Sequence, residues 1–471
     1  MGVQHGRVVG DAGARQMTTT AIGRWADPTL LLLLALFGCG PFQRLPIPPP
    51  FPADAPYGAT VREIRLVGNK ATDERLIRES LVTKVAKVYS REDATRDYER
   101  LSQLGVFTSI SFDTEPLGDG IALTVHLDEA SIFLPTVSMA LTQENGLEIG
   151  PAVSSPNLLG RAAKASGLAR FGGARNFGFS FRDPWHPTDK WHRCCFEVEV
   201  YHRERRNALD DFREASNEVT LQYLYNMTER IHLGPRLSYL GIRAREDSAG
   251  VVPDITMNPQ GTDRIPGLGV VAEYDSRNLI TYPTRGWFIA VSGAQYGGPL
   301  GGPSDYPRVE LDVRRYLELA GPRHALAAYS LITLTGGEMG KDIPIHQDFH
   351  LGGTNSVRGW PLDSRSGKSQ WINTLEYWWD LVPASAFKLF FVRWSMGLQL
   401  AAFADVATAW DDAREFDANW IAGGGLGARL TIPQTGLIRF DVGVGKTHPD
   451  LRLAFHIGGS ERAIAQKRRV R

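Results

Sequence analysis

Arg308-Val309-Glu310-Leu311-Asp312-Val313-Arg314 alternates without a break, with charged side chains on one face and branched apolar ones on the other. Successive side chains of a strand point to opposite faces, so this segment divides an apolar medium from a wet one. The same period runs through Glu218 to Asn226, where Val219, Leu221, Tyr223 and Tyr225 oppose Glu218, Thr220, Gln222 and Asn226. It recurs in Phe196, Val198 and Val200 against Glu197 and Glu199. Near the end, Ile438, Phe440, Val442 and Val444 oppose Arg439 and Asp441, and Leu451, Leu453, Phe455 and Ile457 oppose Arg452 and His456. From residue 133 to 458 no helix of convincing length interrupts the pattern.

A soluble β-sandwich also alternates, but about 325 residues of strands would leave many edges to hide. A closed barrel has no edges, and in a membrane its apolar faces turn outward and its charges inward. At roughly 20 residues per strand and loop, the segment accommodates about sixteen strands. Trp287, Trp371, Tyr377, Trp378 and Trp379 are available for interfacial aromatic girdles. The expected fold is mostly β: a transmembrane antiparallel β-barrel of about sixteen strands behind one small α/β domain.

Composition narrows the function. Basic and acidic residues balance at 52 each, so no bulk field points to nucleic acid. The 49 glycines and 28 prolines favour strands and turns, and 3 cysteines make no disulfide framework. Residues 1–39 read as an export segment, with Arg24 before the apolar run Leu30 to Gly38 and with Met1 or Met17 as the start. Leu36-Phe37-Gly38-Cys39 resembles a bacterial lipobox, which marks Cys39 for lipidation; ordinary signal cleavage nearby is the alternative. Residues 40–58 are dense in proline and read as a semi-rigid spacer.

Residues 59–129 form the small α/β unit. Val61 to Leu66 alternates as a half-buried strand ended by Gly68-Asn69. Thr72 is placed to cap a helix carrying Leu76, Ile77, Ser80 and Leu81. A second amphipathic helix runs from about Arg91 through Ala94, Tyr98, Leu101 and Leu104 to Gly105. Strands Phe107–Phe112 and Ile121–Leu127 follow, around Gly118-Asp119-Gly120. This order, with Gly68-Asn69, Leu104-Gly105-Val106-Phe107 and Asp119-Gly120, resembles a POTRA domain.

One stretch breaks the strand texture: Leu351-Gly352-Gly353-Thr354-Asn355-Ser356-Val357-Arg358-Gly359-Trp360. Gly352, Gly353 and Gly359 permit positive φ and close backbone approach. Arg358 is always charged, with five donors in a fixed fork, so burial would oblige it to find carboxylates. A POTRA-like unit before a barrel carrying Val357-Arg358-Gly359-Trp360 resembles the BamA/TamA-like outer-membrane assembly and translocation superfamily. Supporting matches are Asn157-Leu158-Leu159-Gly160, Phe181-Arg182-Asp183-Pro184, Tyr274 to Asn278 with Pro283-Thr284-Arg285-Gly286, Asn373 to Tyr377, and Phe403-Ala404-Asp405.

The resemblance implies that the loop folds into the lumen and that Arg358 pairs with Asp405 and Glu376. It also implies a non-enzymatic protein of the bacterial outer membrane with its POTRA domain in the periplasm. The implied role is insertion of barrel proteins or passage of polypeptides; the alternative is a passive or structural barrel tethered by its POTRA unit. Implied partners are unfolded outer-membrane or secreted polypeptides, outer-membrane lipids and accessory periplasmic proteins. No catalytic residue, cofactor or metal site is expected. Gly423 to Gly427 lacks the lysine and helix of a phosphate loop and is read, with Gly443 and Gly445, as strand glycine that weakens pairing near the closing seam. His346 and His350 lie four apart beside Pro344, not on a helix, and His186, His192 and His202 are read as interface or lumen residues. The basic tail 459–471 is read as solvated, with anionic headgroups as its other contact.

Overall fold

The computed structural model describes residues 42–44, 50–52, 54–142, 146–184, 194–206, 212–245, 256–279, 283–353, 356–361, 363–390, 392–432, 436–446 and 448–458. Residues 1–41, where the export segment and Cys39 are expected, and the tail 459–471 lie outside the described residues.

The small domain runs β1 (Val61–Val67), α1 (Glu74–Ser80), α2 (Arg91–Leu104), β2 (Phe107–Leu117), β3 (Gly120–Glu129). β3 lies between a parallel β1 and an antiparallel β2. Both helices pack their apolar stripes on one face of this sheet, joining Leu76, Ile77, Leu81 and Leu101 to Val61, Phe112, Leu123 and Val125. Each such side chain contributes about 1.5–3 kcal/mol on burial. α2 starts at Ser90, whose side chain accepts from the Asp93 amide, and stops at Gly105 with φ 69°. The α1 cap differs from expectation. Asp73 accepts from the Arg75 amide, while the Thr72 amide donates 2.7 Å to Glu129. The Thr72 hydroxyl, the group a cap would use, instead accepts 2.9 Å from the Asn157 side chain.

Sixteen strands of 9 to 21 residues follow among the described residues, from Leu134–Thr142 to His448–Gly458, and each pairs antiparallel with its neighbours in one closed sheet. The alternation sorts as the physics demands. On the strand Asp305–Glu318, Arg308, Asp312 and Arg314 are buried while Val309 is exposed on the outer wall. Trp287, Tyr377 and Trp379 also face outward. Trp378 does not: it is buried and its indole donates 2.8 Å to Glu376, because it shares the inward parity of that residue.

The junctions are unequal. Cys194–Arg206 and Arg213–Asn226 match along 13 residue pairs, and the first strand matches its second-strand neighbour along 9. The junction of first and last strands has two described pairs, Leu141 with Phe455 and Ala140 with His456.

Candidate functional site

Between the strands His324–Thr335 and Ser369–Leu389 the chain makes its long lumen loop, residues 336–368. The loop contains a two-stranded ribbon, Phe349–Leu351 with Arg365–Gly367. Gly352, Gly353 and Gly359 take φ values of 113°, 72° and 97°, bending the chain so that Arg358 reaches the inner wall. Leu351, Val357 and Trp360 close over Ile372, Ala407, Ala409 and Ile421. This apolar seal surrounds a charged centre.

Arg358 is 3% exposed. Its Nε and Nη2 donate to the two oxygens of Asp405 at 2.7 and 2.9 Å, and its backbone amide reaches Oδ2 at 3.1 Å. Its Nη1 lies 2.7 Å from Glu376 and 2.9 Å from Asp441. The Phe403 ring stacks beneath the guanidinium, 3.5 Å from Cζ. The acids come from three strands, Ser369–Leu389, Val392–Trp410 and Gly436–Gly445, in registers that point all three inward. Arg429 donates 2.9 Å to Glu376, and Arg439 stands 3.0 Å from Asp441. Three guanidinium groups therefore face three carboxylates. Such charge-assisted bonds hold geometry strongly, and removal of one member leaves a buried charge unmatched.

The sequence does not assign Asp441 to Arg358, although its alternation with Ile438, Phe440, Val442 and Val444 puts it on the lumen face. Strand register, which sequence alone leaves open, brings it to the arginine.

The inner-wall glycines form the floor of this site. Gly423 pairs with Gly445 and Gly425 with Gly443, and the ladder between their strands runs unbroken through both pairs. A Cβ at Gly423 would lie 2.2 Å from the Arg358 carbonyl oxygen, and one at Gly445 would lie 2.7 Å from the Trp360 indole nitrogen. A Cβ on Gly359 would meet the Val444 carbonyl carbon at 2.3 Å. These residues make a slot without side chains, in which the loop backbone lies. Steric room accounts for glycine on this side; on the side facing the last strand, the register shifts between Gly443 and Gly445.

The loop has a second foot, on the strands Thr262–Asp275 and Asp305–Glu318. His346 Nε2 is 2.9 Å from Asp263, both buried. Arg308 sits among the rings of Tyr296, Tyr306 and Phe349, with Cζ 5.6, 5.3 and 4.9 Å from their centroids. His350 turns to a different carboxylate, Asp363. His346 and His350 therefore serve separate pairs. His202 lies 2.8 Å from Asn217, whereas His186 and His192 lie outside the described residues.

Other motifs lie at the periplasmic turns. Asn157 donates 2.9 Å to Thr72, and Gly160 accepts from the Asp73 amide at 2.9 Å. Gln103 of α2 donates 3.0 Å to the carbonyls of Arg277 and Asn278. Arg277 itself is buried against Asp275 at 2.7 Å and over the Phe288 ring. These motifs join the small domain to the barrel.

The fold and site define an outer-membrane barrel preceded by a periplasmic POTRA domain, with an arginine-anchored loop in its lumen. Residues 157–462 match the Omp85 superfamily domain and residues 59–130 the POTRA family described as surface antigen variable number repeat. The chain belongs to the Omp85 superfamily, a family of non-enzymatic assembly and transport barrels. It is 26% identical over 404 residues to the outer membrane protein assembly factor BamA of Neisseria meningitidis, covering 78% of this chain and 48% of that protein. It is 24% identical over 379 residues to BamA of Nitratidesulfovibrio vulgaris, covering 76% and 45%. The chain thus spans about half the length of these curated relatives.

Among solved structures, CdiB from Escherichia coli aligns with a TM-score of 0.56 at 12% identity, covering 85% of this chain and 76% of that one. BamA from Haemophilus ducreyi lacking POTRA domains 1-3 aligns with a TM-score of 0.51 at 16% identity, covering 85% and 84%. At these identities the likeness is one of fold.

Proposed function

We propose that this protein inserts client β-barrel polypeptides into the outer membrane through the junction of its first and last strands. The carrying observation is the inequality of the junctions: two described residue pairs at this one, against 9 on the other side of the first strand. The two described rungs hold about two backbone hydrogen bonds, each worth about 0.5–1.5 kcal/mol net. A client strand can replace that little with pairing of its own. The edges exposed by opening would be costly in lipid, which favours immediate client pairing over an idle gap.

The lumen loop supports insertion over passive conduction. It is held at two places on the inner wall, by Arg358 and by His346 with Arg308, so protein occupies part of the lumen. Arg358 then stiffens the wall preceding the seam and leaves the seam to yield. The POTRA sheet is proposed to receive unfolded clients by strand addition, a mode that tolerates many sequences because it uses backbone groups. Accessory periplasmic proteins are partners under the same reading.

A disulfide joining Leu141→Cys to Phe455→Cys tests the seam. Oxidised protein is expected to lose client assembly, measured as the heat-shifted folded form of a client barrel on gels, and to regain it on reduction. Full activity in the oxidised form would sink the lateral reading. Polypeptide export persisting with the seam locked would favour translocation, and large stable conductance with no client effect would favour the passive barrel.

A further inference from the structure

The end of the proline-rich segment does more than space the domain from what precedes it. The Phe112 amide on β2 donates 3.0 Å to the carbonyl of Pro50. β2 is an edge strand: β3 covers one side, and Phe112 pairs there with Val125. Phe51 stacks on Phe112 with ring centroids 5.5 Å apart and an interplanar angle of 18°. It meets Tyr98 of α2 edge-on at 6.1 Å, and it packs against the domain core. The chain's own residues thus occupy the groove between the edge of β2 and α2, while nearer the barrel the same edge is met by Ser395, whose hydroxyl donates 3.4 Å to the Thr108 carbonyl.

Their chemistry suits a temporary resident. Prolines have no amide hydrogen, so Phe51 is the single backbone donor within Pro50-Phe51-Pro52. Peptide groups on an antiparallel edge point outward at every second residue, which places Ile110 and Thr114 in the same sense as Phe112. An extended segment without proline could use several of these rungs, whereas Pro50-Phe51-Pro52 holds mainly through its aromatic ring.

We infer that the groove between β2 and α2 is a peptide-binding cleft that selects extended segments presenting an aromatic side chain, and that Phe51 is a built-in occupant that clients displace. This rests on the strand-addition reading proposed above and names the substrate feature that reading left open. Affinity for a client is lowered by the fraction of time the cleft is self-occupied. Removing the resident ring therefore strengthens client binding.

The full chain in detergent micelles is titrated with a fluorescein-labelled peptide of alternating threonine and valine carrying one central phenylalanine. A matched peptide has serine in place of the phenylalanine. Phe51→Ser is expected to tighten binding of the phenylalanine peptide about tenfold and to leave the serine peptide weak, while Phe51→Tyr returns native affinity. Equal or weaker binding of the phenylalanine peptide by Phe51→Ser, in protein that keeps the native heat-shifted gel mobility, overturns the resident-competitor inference and leaves strand addition standing. Equal binding of the two peptides overturns the aromatic selection. Failure of the native protein, Phe51→Ser and Phe51→Tyr alike to bind either peptide overturns strand addition at this edge, and the inference with it.

Discussion

The POTRA domain and the barrel are built on the same alternating strands and are inside out with respect to each other. In the small domain Val61, Phe112, Leu123 and Val125 face a dry core, while Arg62, Arg65 and Glu115 meet solvent. In the barrel the buried face carries Arg308, Asp312, Arg314, Glu376, Asp405 and Asp441, and the exposed face carries Leu268, Val270, Val291 and Phe440. Burial therefore means different things in the two regions. An inward charge is tolerated where a second strand supplies its counter-charge; an outward valine is tolerated where the surroundings are lipid.

The largest effect is expected from breaking the barrel's interior charge balance. Arg358→Ala leaves Asp405, Glu376 and Asp441 facing two guanidinium groups in place of three. The loss of one buried partner costs about 3–5 kcal/mol. The folded band on unheated gels should convert to the unfolded one at a markedly lower temperature, and client assembly should fall, while the POTRA domain keeps its hydrogen-exchange protection. Arg358→Lys should recover only part of the loss, since a point charge cannot replace the two-pronged contact with Asp405. A native conversion temperature in Arg358→Ala would remove the lock from the account of stability.

Next in size is a pair of matched surface changes. Val291 of the barrel is 45% exposed and Val67 of the POTRA domain 47%, so exposure alone predicts equal tolerance. Val291 lies mid-strand on the lipid face, where arginine costs about 2–4 kcal/mol. Val67 ends β1, where a surface change usually stays within about 0.5 kcal/mol. Val291→Arg should therefore lower barrel yield and resistance to urea, and Val67→Arg should not. Equal losses would mean that the two exposed faces share one solvent.

The alternation made the barrel, its wet interior and the POTRA element order legible, because parity is a property of the chain alone. What escaped depended on how strands align or on which partner wins a local competition. Asp441 could be placed on the lumen face but not beside Arg358 without the register of its strand. Trp378 looked like a girdle residue by type, yet parity with Glu376 turned it inward. Thr72 had the chemistry of a cap, and Asn157, distant in sequence, claimed its hydroxyl. Proline density described residues 40–58 as extended and concealed Phe51, whose ring stacks on Phe112 of β2. Gly423, Gly443 and Gly445 fitted a weak strand as well as a tight one until the loop lying against them was seen.

The smallest expected effect sharpens the same contrast from the POTRA side. Asp97 on α2 is fully buried, and it accepts hydrogen bonds from the Val82 and Thr83 amides rather than from a guanidinium fork of the kind that grips Asp405. Burial pushes its carboxyl above the usual aspartate range, against the lowering by those bonds and by Arg100. The folded domain therefore holds this proton more tightly than the unfolded chain does. Its contribution to stability is complete below the ordinary aspartate pKa of about 4, and it is lost as pH rises through the folded value. Asp97→Asn removes the titration while keeping an acceptor for the amides. In the full chain, hydrogen-exchange protection around Val82 and Thr83, corrected for intrinsic rates, should rise in the native protein relative to Asp97→Asn as pH falls from neutral toward about 4. A pH-independent difference between the two proteins would mean that Asp97 is compensated as fully as the carboxylates around Arg358, and the two interiors would then differ in residue content but not in how they carry charge.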